Sequence, residues 1–223
     1  PGLSSQGLGN ATRPIIRGMT NSRVKILQNG SSLSDVSEFG EDHIVGYDLM
    51  LIDKIEIIKG PATLLYGNNA FAGVINIINP LITVDTPLGK ENVETTFGYG
   101  TSGGELKTAV KFSKSIDSYT VRGMGSVLSS GSYDLANTSS KQVNSAKANS
   151  SAGIGLTYND GKNLIGFSFD TLESEYSLPG GEGVENLTTL NPTRNTINFK
   201  TAFALNTNFF DKLNFDGSVS EYD

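Results

Sequence analysis

From about residue 86 to the end of the chain, segments of about ten residues alternate apolar and polar side chains, separated by clusters of Gly, Ser, Asn and Asp. A period of two is that of a strand with one dry face. Val93, Thr95, Phe97 and Tyr99 share one face, and Leu106, Thr108, Val110 and Phe112 share the next. The pattern recurs over Tyr119 to Val127, at Ile154, Leu156 and Tyr158, at Ile165, Phe167 and Phe169, over Ile197 to Leu205, and over Leu213 to Val219. About seven strands are predicted.

The opposite faces carry Glu94, Lys107, Lys111, Arg122, Asn198, Lys200, Asn214 and Asp216 among Gly, Ala and Ser. Alternation alone fits a soluble sandwich and a membrane barrel equally, since both have one apolar and one wet face. The connections favour the barrel. They are short at Thr101 to Gly104, Ser115 to Ser118, Asp160 to Lys162 and Thr207 to Asp211, and long and polar at Ser129 to Ser150 and Leu172 to Arg194. If the first strand rises from the periplasm, both long connections fall on the outer side, as in outer-membrane barrels. Tyr99, Phe112, Tyr119, Tyr158 and Phe169 near strand ends suit an interfacial girdle. Seven strands cannot close around a lumen, and an open edge in lipid leaves backbone groups unpaired, so the barrel is expected to continue beyond Asp223.

Composition narrows the chemistry. The 223 residues include 26 Gly and 18% charged side chains, which is unlike a Leu-rich helical bundle. The longest apolar stretches, such as Val74 to Ile78, fall far short of the ~20 residues of a membrane-spanning helix. With no Cys, a disulfide scaffold, a thiolate zinc site and a cysteine nucleophile are excluded; with one His, His43, so is a multi-histidine cage within the chain. A net charge of -6 argues against a nucleic-acid backbone as partner. The opening at Pro1, with neither Met nor a leader, reads as a fragment.

Gly98 to Gly103 matches the dinucleotide fingerprint G-x-G-x-x-G, yet Glu105 to Phe112 continues with a period of two and offers no helix N-terminus for a pyrophosphate. Glu173 and Glu175 read as solvated loop acids, the N-x-S/T matches as chance, and no nucleophile, base and orienting group come together, so an enzyme is not expected. The informative stretch is Ile52 to Ile78, IDKIEIIKGPATLLYGNNAFAGVINII. Ile55 to Ile58 form a short strand that Gly60-Pro61 ends. Ala62 to Tyr66 make one helical turn, Gly67-Asn68-Asn69 breaks it, Ala70 to Gly73 turn tightly, and Val74 to Ile78 are a buried strand. By itself this is a compact β-α-β unit with no activity.

This stretch strongly resembles the plug domain of TonB-dependent outer-membrane receptors, whose hallmark joins an I-E-hydrophobic-hydrophobic-basic-G-P run, L-Y-G and A-x-x-G-V-I-N-I. Arg17-Gly18 and Val24 to Gly30 resemble the family's I-R-G element and its strand ending in Asp/Asn-Gly. The resemblance implies a small α+β plug domain over 1–85, followed over 86–223 by the N-terminal strands of a large antiparallel transmembrane β-barrel of about 22 strands, wide enough to hold the plug. It implies a receptor in the Gram-negative outer membrane that imports a scarce metal or metal chelate, powered through the TonB-ExbB-ExbD complex by a box that would precede Pro1. No cofactor is required, and outer-membrane lipid is a partner. Arg13 to Met19, Val24 to Gly30, Asp42-His43 and Gly60 to Gly67 look most like the zinc-uptake (ZnuD-like) branch, in which an Asp-His pair in the plug supplies metal ligands, here Asp42 and His43. That branch also implies a His-rich outer loop, which Leu178 to Asn191 is not, so haem or an iron chelate stands beside zinc as cargo. Arg17, Glu56 and Lys59 are expected to pair with the lumen wall, with Lys59 lacking the bidentate fork of an Arg. The rival reading is a secreted soluble β-rich binding module or adhesin.

Overall fold

The computed structural model describes residues 2–33, 43–67, 70–83, 91–179, 187–205, 207 and 209–223. The N-terminal unit opens on a hairpin of β1 (Leu3–Leu8) and β2 (Ala11–Ile16), turned at Gly9 and Asn10. After β3 (Val24–Gln28), Asn29 and Gly30 at φ 51° and 86° turn the chain back into β4 (Ser31–Ser32). Two successive positive φ values define the type I′ hairpin turn, for which Asn-Gly is the favoured pair. With β5 (Lys54–Ile58) and β6 (Gly73–Ile78) these strands form a sheet in the order β4-β3-β6-β5, in which β3 and β6 run parallel. The turn expected between β5 and β6 is a 3-10 helix over Pro61–Tyr66, bounded by Gly60 and Gly67 at positive φ. The run Gly-Val-Ile-Asn-Ile-Ile makes β6 apolar on both faces, and the sheet buries it on both. Ile75 and Ile77 pack with Ile16, Val24 and Ala72, and Val74 packs with Leu27 and Ala70.

The second part is a single antiparallel sheet. Its strands are β7 (Glu91–Gly100), β8 (Glu105–Ile116), β9 (Tyr119–Ser130), β10 (Lys147–Asn159), β11 (Asn163–Ser177), the two-residue β12 (Thr189–Leu190) beside β11, β13 (Thr193–Ala204) and β14 (Lys212–Tyr222). Apart from β12, each long strand pairs with the next in the chain. The register strings Val93, Phe112, Gly123, Ile154, Phe169, Ile197 and Val219 into one row across one face. The six side chains of that row are exposed, Val93 and Val219 at 71% and 74%. At Gly123 an added Cβ would lie 2.0 Å from Cε1 of Phe112, so the Phe112 ring fills the glycine's place in the row. The adjacent row on the other face reads Lys111, Met124, Gly153, Asp170, Thr196 and Ser220, and that face is turned to the N-terminal unit. Apolar outside and polar inside is the arrangement of a barrel wall. A soluble sandwich would lay a second sheet over the apolar face, and among the described residues nothing covers it.

Turns at 117–118, 160–162 and 205–211 lie at one end of the sheet, the lower, and the connections 101–104, 131–146 and 178–192 lie at the other, the upper. Both long connections are shorter than expected because β9, β10 and β11 reach further. Glu173 and Glu175 are strand residues and not loop acids: they lie opposite Ser150 and Ala148 in the register, with Leu172, Ser174 and Tyr176 alternating on the inner face. Acidic side chains near a strand end can stand on an outer face in water, where strand pairing continues at little cost.

Candidate functional site

The chemistry of this chain is concentrated where the N-terminal unit meets the inner face of the sheet. At the upper end the turn of the β1–β2 hairpin reaches the long connections. The Asn10 amide donates to the carbonyls of Ser145, Ala146 and Ser177 at 3.0, 3.1 and 3.3 Å. Beside it an added Cβ on Gly9 would meet the Pro179 ring at 2.3 Å, so the turn abuts the second connection. The two connections are joined to each other by the Asn144 amide, which donates to the carbonyls of Leu178 and Thr188, both at 2.8 Å. The Ile44 N–H donates at 3.2 Å to the hydroxyl of Tyr176, whose side chain is fully buried near the top of β11. His43, half-buried, therefore stands at the upper rim.

Midway down, the contacts are polar and spread over several strands. Ser126 and Ser151 both donate to Oδ2 of Asp48, the latter at 3.1 Å. Lys111 donates to the Ile52 carbonyl at 3.0 Å and pairs with Asp53 at 3.2 Å. Asp170 and Arg194, both buried, form an ion pair at 3.6 Å within the wall, and Gln28 of β3 donates to Asp170 at 3.4 Å. Asn198 also donates to Asp170, at 3.3 Å. Gln28, Asp48, Asn79, Asp170 and Arg194 border a cavity of about 30 Å³, room enough for a bound water among polar partners. Hydrogen bonds to a charged group, as these are, contribute about 1.5–3 kcal/mol each net, and partly exposed pairs such as Lys111–Asp53 about 0–1. Those between unit and sheet stand on separate strands and can be exchanged one at a time.

At the lower end the contact changes character. Pro80 to Thr83 lie directly on the sheet at Gly153, Gly155 and Gly166, whose missing side chains leave the room. An added Cβ at Gly155 would be 2.1 Å from the Leu81 carbonyl oxygen, and one at Gly166 would be 2.4 Å from Cγ2 of Ile82. Leu81 is 1% exposed. Burying a Leu side chain contributes about 1.5–3 kcal/mol, comparable to one of the charged hydrogen bonds above but with no polar partner to exchange. The Arg122 guanidinium donates to the Pro80 carbonyl at 2.9 Å, and the Thr83 N–H donates to the Thr157 hydroxyl at 3.4 Å.

The residues singled out from the sequence are distributed differently. Asp42 lies outside the described residues. Glu56 is engaged within its own sheet: Lys54 pairs with it at 2.6 Å and the Asn76 amide donates at 3.1 Å, and these two hold its carboxyl below the usual carboxylate range. Arg17 is exposed at φ 53°, with its backbone N–H donating to the Gly2 carbonyl at 2.8 Å. Lys59 is half-buried just after β5. Among the described residues no group of three or more His, Asp or Glu side chains gathers as a metal site. The residues that join unit to sheet, Asn10, Gln28, Asp48, Asp53, Lys111 and Arg122, were not singled out as contacts by sequence reasoning. Lys111 and Arg122 carried the one usable signal, a long cation on the polar face of a predicted strand.

Residues 1–74 match the family model described as TonB-dependent Receptor Plug Domain. The chain as a whole superimposes on the copper transporter OprC with a TM-score of 0.79 at 20% identity, covering 100% of this chain and 33% of that one. The FrpB iron transporter from Neisseria meningitidis gives 0.79 at 16% identity, over 100% of this chain and 36% of that one. A mutant ferric enterobactin receptor from Pseudomonas aeruginosa, PfeA, in complex with enterobactin gives 0.68 at 16% identity, over 95% and 36%. The chain thus spans about a third of the length of these structures and has the fold of their N-terminal part, a plug domain followed by antiparallel wall strands.

Proposed function

We propose that this chain forms the plug and the first wall strands of a TonB-dependent receptor of the Gram-negative outer membrane, which imports a scarce metal ion or metal chelate. The observation that carries this reading is the inverted sheet: its apolar row faces outward uncovered, and its polar face is docked on a plug-family domain. The upper end then faces the outside and the lower end the periplasm, which puts the long connections outside. The similar structures are a copper transporter, an iron transporter and a ferric enterobactin receptor, which supports a metal or metal chelate as the class of cargo.

The geometry supplies a mechanism. The plug closes the lumen, and cargo is captured at the upper rim, where Asn10 meets the outer connections and Ile44 meets the top of β11. The outer membrane offers no ATP, so the TonB-ExbB-ExbD complex must pull on the plug from below. An interface built of separately exchangeable polar contacts holds the plug and still lets it move.

Within this class we favour zinc, then haem or an iron siderophore. Support for zinc comes from the adjacent carboxylate and imidazole of Asp42 and His43, suitable ligand types for Zn²⁺, and from the place of His43 at the rim. Two ligands do not complete a site, so the outer loops of the full-length receptor would supply the others. Calorimetry on that receptor in detergent tests this. A zinc affinity at least tenfold weaker in His43→Ala is expected. Zinc binding indifferent to the change overturns the role of His43, and no zinc binding at all moves the cargo to haem or an iron chelate.

A further inference from the structure

The two kinds of contact under the plug differ in what separating them requires. Above Asn79 the plug is joined to the wall through Asn10, Gln28, Asp48 and Asp53, each by side-chain hydrogen bonds or an ion pair and none by interlocked backbone. Below it, the Leu81 backbone lies against Gly155, and the side chains of Leu81 and Ile82 fill the space left open at Gly153 and Gly166. Any residue but Gly at 155 would strike the Leu81 carbonyl, a backbone atom, at 2.1 Å. The seat is also next to the covalent junction, since β7 begins at Glu91.

We propose that Gly153, Gly155 and Gly166 form a permanent dock for Pro80 to Thr83, which stays seated through transport while the plug moves only on the N-terminal side of Asn79. The proposal rests on the transport reading for its role and on the glycine geometry for the dock itself. It predicts a plug that is displaced from a fixed foot, never released as a whole.

Two disulfide tethers separate the alternatives. A Cβ on Gly166 would lie 3.4 Å from Cβ of Ile82, and one on Gly9 would lie 3.7 Å from Cβ of Pro179, both close to the 3.5–4.5 Å span of about every disulfide. This chain has no Cys to interfere. In the full-length receptor, uptake is measured in cells with zinc, haem and a ferric siderophore as probes. Oxidised I82C/G166C is expected to import within twofold of its reduced form, and oxidised G9C/P179C to lose at least tenfold, with recovery on reduction. A seat tether that blocks uptake reversibly, or an apex tether that leaves it intact, overturns the proposal. If the reduced receptors import none of the probes, the transport reading fails, and the dock is judged by a measurement that needs no transport. Single-cysteine receptors L81C and L27C, both buried at rest, are treated with a hydrophilic maleimide along a urea series in detergent. L27C is expected to react at lower urea than L81C, and equal reactivity overturns the dock.

Discussion

The strand β6 of the plug and the strand β11 of the wall follow opposite rules of burial. In β6, Val74, Ile75 and Ile77 are all buried, as in any water-soluble domain. In β11, Phe167 and Phe169 are exposed at 53% and 44%, while Ser168, Asp170 and Ser174 are buried. The same chain thus hides its apolar groups in one region and displays them in the other. Burial is therefore a statement about surroundings: the plug sheet hides its apolar groups as a domain in water does, and the wall has the arrangement of a barrel with a polar filling within. The Asp170 carboxylate is tolerated in the wall because Gln28 of β3 and Asn198 of β13 donate to it and Arg194 of β13 faces it with the opposite charge.

This contrast can be broken by charge. Val74→Asp places an unpaired carboxylate in the plug core, and a loss of at least about 3 kcal/mol is expected for unfolding of the plug in the full-length receptor, measured in urea. Ile154→Arg should cost about 2–4 kcal/mol in a bilayer refolding assay if its row lies at mid-membrane, and within about 0.5 kcal/mol if the face meets water. A near-zero result would return the sheet to the soluble reading. Gln28→Leu tests the boundary between the two regions. It takes a donor from the buried Asp170 carboxylate, and a plug destabilised by about 1–3 kcal/mol is expected, with the barrel unfolding at its usual point. The smallest effect is one of pH at the lower turn. There the backbone N–H groups of Asn163 and Lys162 hold the Asp160 carboxyl down at about 2. Because the folded value is depressed, its contribution is complete above the unfolded value of about 3.9 and fades as pH falls through about 2. NMR of the Lys162 and Asn163 amides should show the turn intact at pH 4 and loosening toward pH 2, and Asp160→Asn should abolish that dependence.

The wall was legible because period-two alternation survives inversion: Val93 to Tyr99 or Ile165 to Phe169 read as strands whichever face is dry. What alternation cannot give is the sign, and the loop lengths supplied it. The plug sheet was legible at β3, β5 and β6 from its apolar runs and its glycine punctuation, while the β1–β2 hairpin was not, since Ser4, Ser5 and Gly7 carry no apolar stripe. The interface was the least legible part. Asn10 follows Gly9 and reads as ordinary turn chemistry, and Asp48 caps the Met50 N–H at 2.8 Å while also receiving Ser126 and Ser151. Polar loop residues look alike in sequence whether they face water or a distant strand. Glu56 shows the converse, a charged residue beside a marked motif whose described partners are two residues away and on the next strand.

The grip of Asn10 on the outer connections is made wholly to main-chain carbonyls, those of Ser145, Ala146 and Ser177. Such a contact asks for a backbone path and is indifferent to the side chains along it. The side chains at 145, 146 and 177 are thus free to change without altering what Asn10 holds, whereas Pro179, met by Gly9 through its ring, is not.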